Sequence, residues 1–121
     1  MIGIGGFLGA NARYVVGGWL THLWGTQFPW GTFVINISGS FLLGLLMVSL
    51  NARPLASPQY RLFFAVGFLG AYTTFSTFSY ETLRLAQDQS MIAALLNITG
   101  SVVLGLVGVS LGVFCGGLFV K

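Results

Sequence analysis

No Asp, Glu, Lys or Arg falls between Met91 and Val120, and that one interval is too long and too apolar for a helix that faces water. A helix rises 1.5 Å per residue, so about 20 residues cross the hydrocarbon of a bilayer. Charged residues make up 6% of the chain, against about 25% for a soluble domain. Water therefore cannot be the solvent for most of this surface. The chain reads as an all-α integral membrane protein, with the lipid bilayer as its main partner. Its 121 residues fit four spans, at about 2–24, 30–50, 62–85 and 91–120, in a single transmembrane domain. No length remains for a soluble one.

The connections carry the usual marks. Trp19, Trp24 and Trp30 gather around the first loop, where amphipathic rings favour the membrane–water boundary, and Pro29 sits where a helix start tolerates a missing N–H. Asn51–Tyr60 (NARPLASPQY) is the clearest loop, and Gln87 to Ser90 makes the next turn. MIGIGGFLGA has no basic residue ahead of its apolar run, so it is expected to open a retained helix and not a cleaved signal. Gly108, Gly112 and Gly116 recur at every fourth position, as do Ser40 and Gly44, and Gly5 and Gly9. Small residues at that spacing let helices approach closely in lipid, which supplies no hydrophobic drive of its own. Arg53, Arg61 and Lys121 lie on one nominal side against Arg84 on the other. That bias is small enough to leave insertion in both directions, and hence an antiparallel homodimer, open.

The composition excludes several functions. Five basic residues against two acidic are too few for a nucleic-acid footprint. One His, one Cys, one Asp and one Glu make no nucleophile motif or metal-ligand spacing, so an enzyme is not expected. His22 is expected in solvent in the first loop, and Cys115 in the packing of the last span.

What lipid does not explain is Thr73 to Ser79, a run of five hydroxyls and two phenylalanines within the third span. A hydroxyl facing hydrocarbon loses water and gains nothing. The groups either glue helices together or line a path for something polar. Hydroxyl contacts in membranes average well under roughly 1 kcal/mol, so glue is an inefficient use of five. The other deep polar residues, Asn36, Ser38, Ser40, Asn97, Thr99 and Ser101, are also uncharged. Asn97 and Ser101 share a helix face. Uncharged donors suit a small anion that exchanges its hydration shell for fixed hydrogen bonds without being trapped. A multidrug-type cation antiporter of similar size is the alternative, but it requires a deep carboxylate. The only acid in the spans is Glu81, for which an ion pair with Arg84 at i,i+3 is the plainer reading. Phe75 and Phe78, three apart, either pack or present positive ring edges to an anion; spacing leaves both open.

These residues also carry a resemblance. GFLGAYTTFSTFSYE (Gly67–Glu81), with GTFVINISGSFLLG (Gly31–Gly44) and GGFLGANARY (Gly5–Tyr14) upstream, resembles the Fluc (CrcB) fluoride channels. The resemblance implies a passive, fluoride-selective channel that exports toxic fluoride across a bacterial or archaeal cytoplasmic (inner) membrane. It further implies an antiparallel, dual-topology homodimer and a third helix broken near the membrane centre. Residue by residue, it implies that Phe75 and Phe78 line the fluoride path and that Asn36 points into it. Thr32, Ser76, Thr77, Asn97, Ser101 and Glu81 would belong to its polar track, and Arg13 to a vestibule. A structural Na⁺ on the dimer axis would be held by the backbone carbonyls of Gly70 and Thr73. Ala71 departs from the family, where a second glycine is common; a carbonyl site does not depend on that side chain.

Overall fold

The computed structural model of the chain describes residues 1–53 and 57–121, and every described element is helical. Helix α1 is Ile2–Trp24 and α2 is Trp30–Asn51. Gly25 ends α1 with a φ of 83°, the left-handed conformation that costs glycine little, while its N–H returns to the Thr21 carbonyl. Trp24, Phe28, Trp30 and Phe33 pack edge to face or tilted across this corner. Trp19 stays exposed outside that cluster, and His22 lies exposed in the last turn of α1, not in the loop.

The centre of the loop expected at Asn51–Tyr60 lies outside the described residues; its end is helical. Ser57 caps the next helix by accepting from the Gln59 N–H, with Pro58 in the first turn. A short α-turn (Pro58–Tyr60) leads into a π-helix (Arg61–Leu69) and then into a last α-turn (Gly70–Tyr72). This continuous run is α3. Its successor α4 is Phe75–Asp88, and α5 is Met91–Val120, capped by Ser90. The third span thus begins and ends a few residues outside the expected 62–85. A capped turn extends it at one end. At the other, the Gln89 and Ser90 N–H groups fold back onto the Leu85 carbonyl.

Between α3 and α4 the helix is broken at Thr73 and Thr74, both extended (φ −82°, ψ 156° and φ −152°, ψ 122°). The break does not fall on the glycines that precede it. Gly67 and Gly70 are both helical, and Gly70 has φ −62°, ψ −35°. The hydroxyl residues following them take the backbone out of helical geometry instead, as side chains that compete for backbone hydrogen bonds can do.

The helices associate as two close pairs. In one, α2 packs along α5, with the Gly108, Gly112 and Gly116 stripe buried against the backbone of Ile37, Phe41 and Leu45. In the other, α1 packs along α3; a Cβ at Gly9 would run into the backbone of Phe68. The small-residue stripes therefore serve packing, as their spacing indicates. A small core of Ile35, Leu69 and Tyr72, flanked by Ala12, Val16, Leu46 and Phe68, joins the two pairs. Large apolar side chains such as Phe7, Leu106 and Phe119 are otherwise exposed, as suits a chain whose solvent is lipid. Among the described residues, Trp30–Asn51, Pro58–Asp88 and Met91–Val120 are long and apolar enough to cross a membrane. Helix α1 has the length, 23 residues, but Asn11, Arg13, His22 and its glycines dilute it.

Candidate functional site: a polar cavity at the helix break

A break in a membrane helix exposes backbone groups that lipid cannot satisfy, each at a cost of several kcal/mol. Here the satisfaction comes from another helix. The Asn36 amide on α2 meets Thr74 twice: its Nδ2 donates to the Thr74 carbonyl (3.0 Å), and its Oδ1 accepts from the Thr74 N–H (2.8 Å). One side chain thereby takes the place of the helical partners that Thr74 gave up. Thr73 completes the seam. Its N–H and its hydroxyl both donate to the Leu69 carbonyl (3.1 and 3.0 Å). Gly39 allows the close approach, since a Cβ there would strike the Thr73 methyl. Ser38 adds a hydroxyl pair with Tyr72 at 3.1 Å.

An open cavity of about 370 Å³ lies against this seam, lined by Asn36, Gly70, Thr73, Thr74, Phe75, Phe78 and Ser101 among others. Half of the site residues singled out from the sequence, Asn36, Gly70, Thr73, Phe75, Phe78 and Ser101, therefore meet at one place. The two rings sit 5.8 Å apart, tilted by 44°; Phe75 is 79% exposed and Phe78 half-buried. A primary amide carries two N–H donors. Asn36, which lines the cavity, uses one on Thr74, and the other has no protein partner among the described residues.

Thr74 also lines a second cavity, of about 720 Å³, with Arg13, Thr32, Thr77 and Glu81. Hydroxyls connect the two. The Thr74 Oγ1 lies 3.4 Å from the Ser76 Oγ and donates to the Thr77 Oγ1 at 3.2 Å, while accepting from the Thr77 N–H as the cap of α4. Glu81 does not pair with Arg84. Its Oε1 accepts from the Thr32 hydroxyl (3.0 Å) and its Oε2 is buried without a partner among the described residues, whereas Arg84 pairs with Asp88 at 2.7 Å on the exposed face. The i,i+4 partner wins because both of those side chains reach solvent, and Glu81 turns inward to α2.

Asn97 lies apart from both cavities. It is 1% exposed, donates to the Thr82 hydroxyl (2.9 Å) and accepts from Ser101 (3.4 Å). Thr82 and Thr74 are the participants that sequence reasoning missed as site residues. For Thr74 a signal existed, because a Thr three residues ahead of a helical hydroxyl residue suits a cap. Thr82 gave none. Gly70 and Thr73 are brought to the cavity wall, and the Thr74 N–H that would return to the Gly70 carbonyl in an unbroken helix goes to Asn36 instead. Among the described residues no group of three or more His, Cys, Asp or Glu could hold a metal ion.

The chain matches the family described as "CrcB-like protein, Camphor Resistance (CrcB)" over residues 1–113. A protein named fluoride-specific ion channel FluC from Acidobacterium capsulatum is 51% identical over 115 residues, covering 95% of this chain and 92% of that one. A protein of the same name from Hydrogenovibrio crunogenus is 48% identical, covering 98% and 89%. Fluoride-specific ion channel FluC 3 from Methanosarcina barkeri is 45% identical, covering 93% and 84%. With a match over most of its length and relatives this similar from end to end, the chain belongs to the CrcB-like family.

Proposed function

We propose that this protein is a fluoride-selective ion channel through which fluoride leaves the cell passively. The observation that carries the reading is the cavity at the Thr73–Thr74 break, walled by uncharged donors and by two phenylalanines, with no acid in its lining. A small anion entering it exchanges water for the free N–H of Asn36, the Ser101 hydroxyl and the positive edges of Phe75 and Phe78. None of these is a full charge, so the ion is held weakly enough to leave. Thr74, Ser76 and Thr77 continue the hydroxyl line to the second cavity, where Thr32 and Glu81 lie, and Arg13 there attracts anions to its mouth. The relatives' names agree with this chemistry and set the cation-antiporter alternative aside. An ion path of this kind needs no catalytic group.

The finer assembly belongs to the same proposal. Helix α1 is a span as well, which makes four in an inner-membrane protein. The functional unit is an antiparallel homodimer, with Na⁺ as its structural cation. Carbonyl oxygens suit a hard monovalent cation; the Gly70 carbonyl lacks the Thr74 N–H that an unbroken helix would give it, and Thr73 is extended. Two carbonyls are too few to replace a hydration shell, and a second copy of the chain across a two-fold doubles them. Na⁺ bound there would hold the two copies in register.

Fluoride efflux from liposomes containing the purified protein, measured against chloride, tests the channel. Fluoride should leave rapidly and chloride should stay; an absence of fluoride flux from well-folded protein would overturn the reading. Replacing Na⁺ by a large organic cation should weaken the dimer or its flux, and indifference would remove the cation from the proposal.

A further inference from the structure

The half-helix that carries Phe75 and Phe78 is tied to the remainder of the chain by few polar groups. One tie is the Asn36 clamp at its start, and another is the Thr32–Glu81 hydrogen bond, both from α2. A further tie comes from α5 and is deeply buried. The Ser101 Oγ donates to the Asn97 Oδ1 (3.4 Å), the Asn97 Nδ2 donates to the Thr82 Oγ1 (2.9 Å), and the Thr82 Oγ1 donates to the Phe78 carbonyl (2.7 Å). Every donor in this chain points the same way, starting at a hydroxyl in the cavity wall and ending on the backbone of the ring that lines the same cavity.

We infer that Asn97 is a positioning residue for ion passage, setting the place of Phe78 through Thr82 and the rotamer of Ser101. The inference rests on the channel reading for its functional consequence, and on the hydrogen bonds alone for its structural one. The direction of the chain is what makes Asn97 decisive. A threonine hydroxyl inside a membrane helix bonds back to the i−4 carbonyl and bends the helix slightly. By donating to Thr82, Asn97 fills the lone pair on the far side of that hydroxyl and fixes its rotamer, so its proton stays on the Phe78 carbonyl. By accepting from Ser101 it holds that hydroxyl's one proton, which an arriving anion must draw away. At 1% exposure Asn97 itself touches no ion. It links the two walls of the cavity, α5 with Ser101 and α4 with Phe78, so that they move together. Chains of hydrogen bonds in a low-dielectric interior strengthen one another, and a side chain that both donates and accepts is required at the centre.

Two isosteric variants test this. Asn97→Leu removes both bonds and Thr82→Val removes the link without changing its shape. Each should remain monodisperse in detergent, lower fluoride flux roughly three- to tenfold and lose part of its discrimination against chloride. The double variant should be no slower than the slower single one, because both act on one chain of bonds. Amide hydrogen exchange over Phe78–Thr82 should quicken in both variants, and this readout needs no transport. Unchanged flux per folded Asn97→Leu protein, or losses that multiply in the double variant, would overturn the positioning role. If neither the parent protein nor any variant passes fluoride while exchange still responds, the channel reading fails and the structural link stands. Unchanged exchange removes the link itself.

Discussion

The two halves of the third helix are held by different physics. The stretch before the break, α3, is welded to α1 backbone to backbone: Gly5 and Gly9 face Phe63 and Phe68, and Gly67 faces Ile2 and Gly5. No side-chain hydrogen bond joins these two helices among the described residues, and van der Waals contact supplies the association. The stretch after the break, α4, has no glycine-to-backbone approach of this kind and packs mainly along α5. It is mostly exposed and amphipathic, it buries only Leu85 fully, and Asn36, Thr32 and Asn97 tether it through hydrogen bonds. Contact packing falls off steeply with distance and makes a rigid wall. Hydrogen bonds to hydroxyls can be exchanged for bonds to an ion. The rigid half holds the fold and the tethered half carries the rings.

That contrast can be broken from either side. The largest effect is expected at Gly9→Ala, where a single methyl meets the Phe68 backbone. Overpacking of this kind costs about 1–3 kcal/mol, and here the obstacle is main chain, which cannot turn aside. Thermal stability in detergent should drop sharply, while flux per surviving folded protein stays near normal. A loss of flux without a loss of stability would contradict the division of labour.

Phe75→Ile and Phe78→Ile act on flux alone. Ring-edge contacts are worth about 0.5–1.5 kcal/mol each, so each variant should slow fluoride efflux by up to about tenfold while its size-exclusion profile stays that of the parent protein. Retained transport in both would return the rings to packing.

Asn36→Leu should act on both counts at once. It orphans the Thr74 N–H and carbonyl, at about 1–3 kcal/mol, and it takes a donor out of the cavity. Stability and flux should fall together, and that joint loss sets Asn36 apart from Gly9 and from the rings. The smallest effect belongs to Thr32→Val, which removes one hydroxyl tether of roughly 0.6 kcal/mol. Flux should fall about threefold or less with stability unchanged; a larger loss would give Thr32 a direct part in conduction.

Much of this was readable in the residues. The first and last helices run from Ile2 to Trp24 and from Met91 to Val120, as the apolar intervals predict, because in lipid a helix has few ways to end other than at polar residues. The small-residue stripes face where their spacing places them. The position of the break did not follow from its glycines. Gly67 and Gly70 have the freedom to leave the helix, but tight packing against α1 holds Gly67 helical, while Thr73 and Thr74 have hydroxyls to bond with and Asn36 to receive them. That partner lies 38 positions away in sequence, and no local pattern encodes it. Glu81 shows the same limit. Spacing offered it Arg84, and the fold gave it Thr32, 49 positions distant. Asn97 and Ser101 do share a face, as their spacing requires, yet only the packed structure sends Asn97 inward to Thr82.

The Asn36–Thr74 pairing has a consequence for anyone rebuilding this protein. The Gly67–Ser79 segment does not contain the instructions for its own shape. Transplanted into another membrane helix, it would most readily straighten, since nothing nearby would take up the Thr74 amide. A graft must carry a second helix bearing an asparagine at the right height, with a glycine one turn along it to let the backbones meet. The smallest portable unit of this architecture is therefore a pair of crossing segments and not a motif.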